Sequence, residues 1–299
     1  MKNWFAIIAA LCVLRLAGTA QSSGAPAGVC ASAEQNQAAN SSASARCGAS
    51  ANARSAASTP GPRHELRIGS DTDTFNYTGL ANSETISLRT RWTEGWSTEE
   101  SASFYQRFGE TAELGSLNLS RRFGTKNWLT FGGGFGPHQE VAPRETSTVE
   151  YGHAMPLHNA IVRGLESYAQ QRNFWYSNTH VSIFGTTQIV YLPRDWMWTL
   201  NLAGVRTAAA GTEPEWTPSG FTRLTFPEIA HLRGNLLFGV GAESFFNIDQ
   251  IGRFSARTFG GGVRWQMNPS HDVSLNVAVQ DRSGGRSETS VGAGYGIRF

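Results

Sequence analysis

The feature that most constrains this chain is an alternation of period two that recurs, segment after segment, from residue 63 to residue 299. In the last segment Thr289, Val291, Ala293, Tyr295, Ile297 and Phe299 share one face, while Glu288, Ser290, Gly292, Gly294, Gly296 and Arg298 share the other. The preceding segment sets Val273, Leu275, Val277 and Val279 against Asp272, Ser274, Asn276 and Gln280. Successive side chains of a strand point to opposite faces, so each segment carries one apolar and one polar surface. Upstream the same dyad puts Leu236, Phe238 and Val240 opposite Asn235, Gly239 and Gly241, and Ile86, Leu88 and Trp92 opposite Ser87, Arg89 and Arg91. Two closed solutions exist. In a soluble sandwich the apolar faces meet in a core; in a membrane barrel they face lipid and the polar faces enclose a lumen.

Three features favour an all-β, transmembrane, antiparallel up-and-down barrel. The segments run about 10 to 13 residues, the length of a tilted strand crossing hydrocarbon, whereas sandwich strands are shorter. Trp92, Trp96, Tyr191, Trp196, Trp198, Trp265 and Tyr295 sit near segment ends, where aromatic girdles meet lipid headgroups. The last strand closes on Tyr295, Ile297 and Phe299, a terminal pattern that resembles the assembly signal of bacterial outer-membrane barrels.

Strands are expected near 64–75, 84–93, 98–108, 112–122, 126–135, 146–154, 159–170, 178–191, 195–206, 219–226, 232–242, 255–267, 271–281 and 288–299. That makes fourteen. Weak alternation at 146–154 and 159–170 leaves twelve as the alternative. Short links at Pro193–Asp195, Pro227–Ala230 and Asn268–Ser270 alternate with longer polar stretches around 170–177, 208–218, 243–253 and 282–287, which fits short periplasmic turns and longer external loops.

Residues 1–20 read as a secretory signal: Lys2, an apolar stretch from Trp4 to Leu16 broken by Arg15, then Ala17-Gly18-Thr19-Ala20. Residues 21–62 are nearly all Ala, Ser, Gln, Asn, Gly and Pro, too little apolar surface to offset the entropy of ordering, and read as a disordered linker in the periplasm. Its Cys30 and Cys47 are either disulfide-bonded or free thiols. The barrel is assigned to 63–299, in the bacterial outer membrane. The chain's net charge is only +2, with Lys2 and Lys126 its only lysines, so nothing electrostatic points to nucleic acid.

Gly132-Gly-Gly-Phe-Gly-Pro-His138, Val190-Tyr-Leu-Pro-Arg-Asp-Trp196, Asp249-Gln-Ile-Gly-Arg-Phe-Ser-Ala-Arg257 with Phe259-Gly-Gly-Gly262, and Tyr295-Gly-Ile-Arg-Phe299 resemble the YaiO family of outer-membrane β-barrel proteins. The resemblance covers most of 63–299 and is densest after about 130. It implies fold and location, and no reaction.

The nearest approach to a catalytic signature is His180-Val181-Ser182, since a His and Ser two apart on a strand share a face and the His could activate the hydroxyl. The pair resembles the His-x-Ser of outer-membrane lipid A deacylases. With Val181 and Ile183 taken as lipid-facing, His180 and Ser182 point into the lumen, away from an acyl chain. Glu140, Glu150 and His153 read as loop or wall residues, and the glycines at 132–136 and 260–262 lack the Lys-Ser/Thr or helix of a phosphate cradle. No catalytic residue, metal ligand or cofactor is assigned, and the chain is not expected to be an enzyme. The lumen is expected to carry Arg89, Arg91, Arg107, Arg122, Arg223, Arg233, Arg264 and Arg298, with Asp272, Glu243 and Glu288 among its acids. An Arg-rich wall would suit a channel or envelope-export pore for small anionic or sugar-like solutes. Paired with acids, the same arginines would close a structural or anchoring barrel. The expected partners are outer-membrane lipids, lipopolysaccharide and the barrel-assembly machinery.

Overall fold

The computed structural model describes residues 63–107, 109–137, 141–157, 159, 161–209, 211, 213–241 and 256–299. The signal and linker readings, Glu140, Glu243 and the segment beginning at Asp249 up to Ser255 lie outside them.

Fourteen strands follow one another: β1 (His64–Phe75), β2 (Ala81–Arg91), β3 (Trp96–Arg107), β4 (Glu110–Phe123), β5 (Asn127–Phe135), β6 (Glu145–Pro156), β7 (Gly164–Trp175), β8 (Thr179–Tyr191), β9 (Met197–Ala209), β10 (Glu215–Thr225), β11 (Leu232–Gly241), β12 (Ala256–Asn268), β13 (His271–Arg282) and β14 (Arg286–Arg298). They range from nine residues in β5 to fourteen in β4. Every strand pairs antiparallel with its sequence neighbour, and β1 pairs with β14 from Glu65↔Arg298 to Phe75↔Glu288, closing the barrel. Closure leaves no ladder edge in hydrocarbon, the condition under which strands can span a bilayer. The seam is extended by two backbone hydrogen bonds between His64 and Phe299, at 2.8 and 3.0 Å, and the two rings stack.

The fourteen-strand count excludes the twelve-strand alternative. The expected strand at 159–170 is displaced to Gly164–Trp175. The reason is local: the Asn159 side-chain oxygen accepts hydrogen bonds from the amides of Ile161 and Val162, turning Ile161-Val162 into a link.

The links at the end bearing His64 and Phe299, called here the terminal end, are 92–95, 124–126, 157–163, 192–196, 226–231 and 269–270. Those at the far end are 76–80, 108–109, 136–144, 176–178, 210–214, 242–255 and 283–285. Length therefore does not separate the ends cleanly. The stretches 170–177 and 282–287, expected as long loops, are mostly strand and leave only the tight turns 176–178 and 283–285, the latter through Gly284 and Gly285 at φ +82° and +72°, which glycine adopts without strain.

Candidate functional site

Directly paired residues share a face, so the register decides which side chains are enclosed. In β13, Leu275 and Val277 are 53% and 52% exposed, whereas Asp272 between the walls is 1% exposed. Carried around the barrel by the pairing, the exposed face holds Ile68, Leu117, Phe131, Val149, Phe184, Leu202, Leu236, Phe259 and Val291. An apolar surface outside and a polar one inside is the arrangement of a lipid-spanning barrel.

Aromatic groups mark its terminal-end rim. Trp92 donates to Thr98 Oγ1 at 2.9 Å, Trp198 donates to Thr222 Oγ1 at 2.6 Å, Trp265 is exposed, and Tyr295 Oη lies 2.7 Å from His271 Nδ1. Trp196 sits in the 192–196 link with its ring edge-on to Phe226. Arg121 lays its guanidinium over both Trp96 and Phe123, 4.9 Å from each ring. Tyr191 departs from the expected girdle: it pairs with Gly164 and Met197 on the enclosed face.

On the enclosed face near the terminal end, eight arginines lie within five residues of their strand ends: Arg67, Arg89, Arg91, Arg122, Arg223, Arg233, Arg264 and Arg298. Four acids share that zone: Glu65, Glu99, Glu166 and Asp272. Asp272 is the focus. It accepts from Arg264 Nε and Nη2 at 2.9 and 2.7 Å and from Arg298 Nη2, with Arg67 Nη1 3.8 Å away. Arg67 donates to Glu65 at 2.6 Å, and Arg89 stands directly across from Glu65 on one side and Glu99 on the other. Arg122 donates to the Thr125 carbonyl in its turn. Arg233 pairs directly with Arg264, two like charges side by side, a destabilising arrangement that Asp272, bonded to Arg264, offsets in part. Arg223 lies over the Phe221 ring, and the buried Nε atoms of Arg223 and Arg233 have no hydrogen-bond partner among the described residues.

The far end is nearly balanced in charge. Asp71, Asp73, Glu110, Glu215 and Glu288 are enclosed there with Arg107, Arg172, Arg282 and Arg286. Arg107 donates to Asp73 at 3.2 Å, and Arg282 binds Glu288 and the Tyr77 hydroxyl. Two apolar clusters narrow this end. One joins Tyr105, Ala112 and Leu114 to Val141 and Ala142 of the 136–144 link; the other joins Phe174, Tyr176, Val181, Ile183 and Val205. Ala142 and Pro143 are buried, so the link dips into the opening. Burial and the neighbouring Tyr105 push the Tyr176 phenol above its ordinary pKa, while Arg107 acts in the opposite sense.

The second cluster overturns the sequence placement of His180 and Ser182. Val181 is 1% exposed and pairs with Phe174 and Thr207 inside the barrel, whereas Ser182 pairs with Asn173 and Arg206 on the outer face. The alternation has the expected period and the opposite sign, because the wall of β7–β9 is apolar on its enclosed side near the far end. Arg67, Arg172, Arg282 and Arg286 are enclosed arginines that the sequence pattern did not assign. Arg67 alternates in phase with Glu65 and Asp71, a signal that was available; Arg172 and Arg282 fell beyond strand ends set too short. Glu150 is enclosed, and His153 is outside, 2.6 Å from Asn127 Oδ1. The wall glycines make room for neighbours: Trp128 lies where a side chain at Gly152 would go, and Asn276 Oδ1 lies against Gly262.

No protein-family model and no curated protein matches this chain. Solved structures do. The outer-membrane protein Omp33 of Acinetobacter baumannii matches with a TM-score of 0.50 at 11% identity, covering 80% of this chain and 100% of that one. This chain is an outer-membrane-type transmembrane β-barrel. An anion-selective porin from Comamonas acidovorans (TM-score 0.47, 8% identity, 79% of this chain and 98% of that one) and OpdQ of Pseudomonas aeruginosa (0.45, 9%, 78% and 97%) are also similar.

Proposed function

We propose that this barrel is a channel of the bacterial outer membrane, oriented with the terminal end in the periplasm, that favours small anionic or sugar-like solutes. The observation that carries it is the axial imbalance of the enclosed face: eight guanidiniums against four carboxylates at the terminal end, and a near balance at the other. Charges lining a low-dielectric wall focus their field into the lumen, so a net positive collar concentrates anions there. Guanidiniums add forked hydrogen bonds that match carboxylate, phosphate and vicinal hydroxyl groups. Arg89, Arg91, Arg223 and Arg233, each partly exposed, are the contact points for a passing solute. The resemblance to YaiO barrels supports the same location, with residues 21–62 in the periplasm and Tyr295, Ile297 and Phe299 offered to the assembly machinery during insertion. Lipopolysaccharide and phospholipid surround the apolar face.

The test is a planar bilayer with a salt gradient. A channel of this kind gives discrete steps and a reversal potential on the anion side, which moves toward zero when Arg223 and Arg233 become Gln. A second reading, a non-conducting structural barrel, draws on the ion pairs of Asp272 and on the apolar clusters with the inserted 141–143 segment. Absence of steps from a folded, inserted barrel would establish it.

A further inference from the structure

We infer that the outer face of β7–β9 carries a serine esterase site, in which Ser182 is the nucleophile and His180 the base, acting on an ester-linked acyl chain of an anionic lipid in the surrounding leaflet. Polar side chains converge on this stretch of the outer face. Ser182 Oγ lies 3.4 Å from His180 Nε2 and donates to Asn173 Oδ1 at 2.9 Å, and Asn173 Nδ2 donates to Ser147 Oγ at 3.1 Å. The His180 ring is held flat on Trp175, 5.0 Å between centroids at an interplanar angle of 10°. A base oriented by packing and a hydroxyl within a few tenths of an ångström of hydrogen-bond contact, tightening once substrate arrives, are the two parts an activated serine needs.

Depth supplies the substrate. His180 and Ser182 are the second and fourth residues of β8 from the far end, and Phe184, two residues deeper on the same face, is 58% exposed to hydrocarbon. Trp175 and Trp216 flank the pair as a far-end aromatic rim. The pair therefore lies at the border of headgroup and acyl chain, where lipid esters lie. Arg206, exposed and directly across from Ser182, offers its guanidinium to the phosphate of an anionic headgroup.

The chemistry balances within these groups and water. His180 takes the hydroxyl proton as Ser182 Oγ bonds to the ester carbonyl carbon. Collapse of the adduct breaks the bond to the lipid alcohol, which leaves with the proton from His180. Water then attacks the acyl-serine, His180 again carrying the proton, and the fatty acid departs.

The experiment uses the full-length barrel inserted in vesicles, folding being checked by heat-modifiable migration in gels. One set contains lipopolysaccharide and another phosphatidylglycerol, and released fatty acid is measured by mass spectrometry alongside labelling by a fluorophosphonate. The wild type releases acyl chains from at least one set and is labelled at Ser182. Ser182→Ala and His180→Gln fold, keep their conductance and lose release by at least about 100-fold, a loss within the range for general-base and nucleophile removal. Arg206→Gln raises KM with kcat changed less than twofold. Release from lipopolysaccharide alone assigns the site to the outer leaflet, and from phosphatidylglycerol alone to a glycerophospholipid. A folded wild type that releases no more than Ser182→Ala from either set, or that is not labelled, overturns the assignment and leaves the channel reading untouched.

Discussion

Replacing Asp272 by Asn tests the terminal-end cluster most severely. The carboxylate is 1% exposed and is shared by Arg264, held through two donors at 2.9 and 2.7 Å, and by Arg298, with Arg67 at 3.8 Å. The carboxamide has nearly the same shape, accepts at only one oxygen and carries no charge. Arg264 would then lose its carboxylate partner beside Arg233, and Glu65 would be left to serve both Arg67 and Arg298. Breaking one side of a buried ion pair costs about 3–5 kcal/mol, and the lower end applies beside a water-accessible lumen. The expected loss is therefore about 3 kcal/mol in urea unfolding of the vesicle-inserted barrel followed by tryptophan fluorescence. Adding Arg298→Gln should restore part of it, because the stranded cation is removed together with its partner. A D272N barrel within about 0.5 kcal/mol of wild type, the scale of an ordinary surface change, would show that these charges are solvated separately.

Other perturbations bear on other parts. Gly152→Val drives a branched side chain into the Trp128 ring, and the expected cost is about 1–3 kcal/mol by the same unfolding assay, against almost none for Gly109→Asn at an open turn with φ +82°. Phe174→Ala removes one of the two rings of the β7–β9 cluster at the far end. Single-channel conductance should rise while stability falls by about 3 kcal/mol, and unchanged conductance would place the narrowest point elsewhere. Phe299→Ala removes the ring stacked on His64 at the seam, and pulse-chase gels should show a smaller heat-modifiable fraction of the protein in cells.

Strand positions were legible because the dyad is a geometric property of each segment by itself. Β13 and β14 show it most clearly: one face is Val and Leu, the other Asp, Ser and Asn, so the sign of the alternation is as plain as its period. β8 is different. Its two faces, Val181, Ile183 and Ile189 against His180, Ser182 and Gln188, give the wrong sign when the apolar face is assigned to lipid. The sign comes from neighbours, Phe184 beside Gly204 outside and Thr187 bonded to Asn201 inside, and pairing is invisible in one segment. The same limit hid the apolar clusters of the far end, which join β3 and β4 to a link and β7 to β9. The arginine collar was readable residue by residue. Its crowding at one end emerges only when strand direction is added, since Arg67 begins an ascending strand and Arg298 ends a descending one.

The most direct test is depth-resolved quenching of a fluorophore attached to single cysteines, in a barrel whose native cysteines are replaced, with brominated lipids as quenchers. Probes at Val277, Phe184 and Ser182 should be quenched, and probes at Asn276, Ala278 and Val181 should respond only to a water-borne quencher. The reverse pattern at 181 and 182, or equal lipid quenching at 276 and 277, would contradict the assignment of the apolar wall to lipid and the charged wall to the lumen.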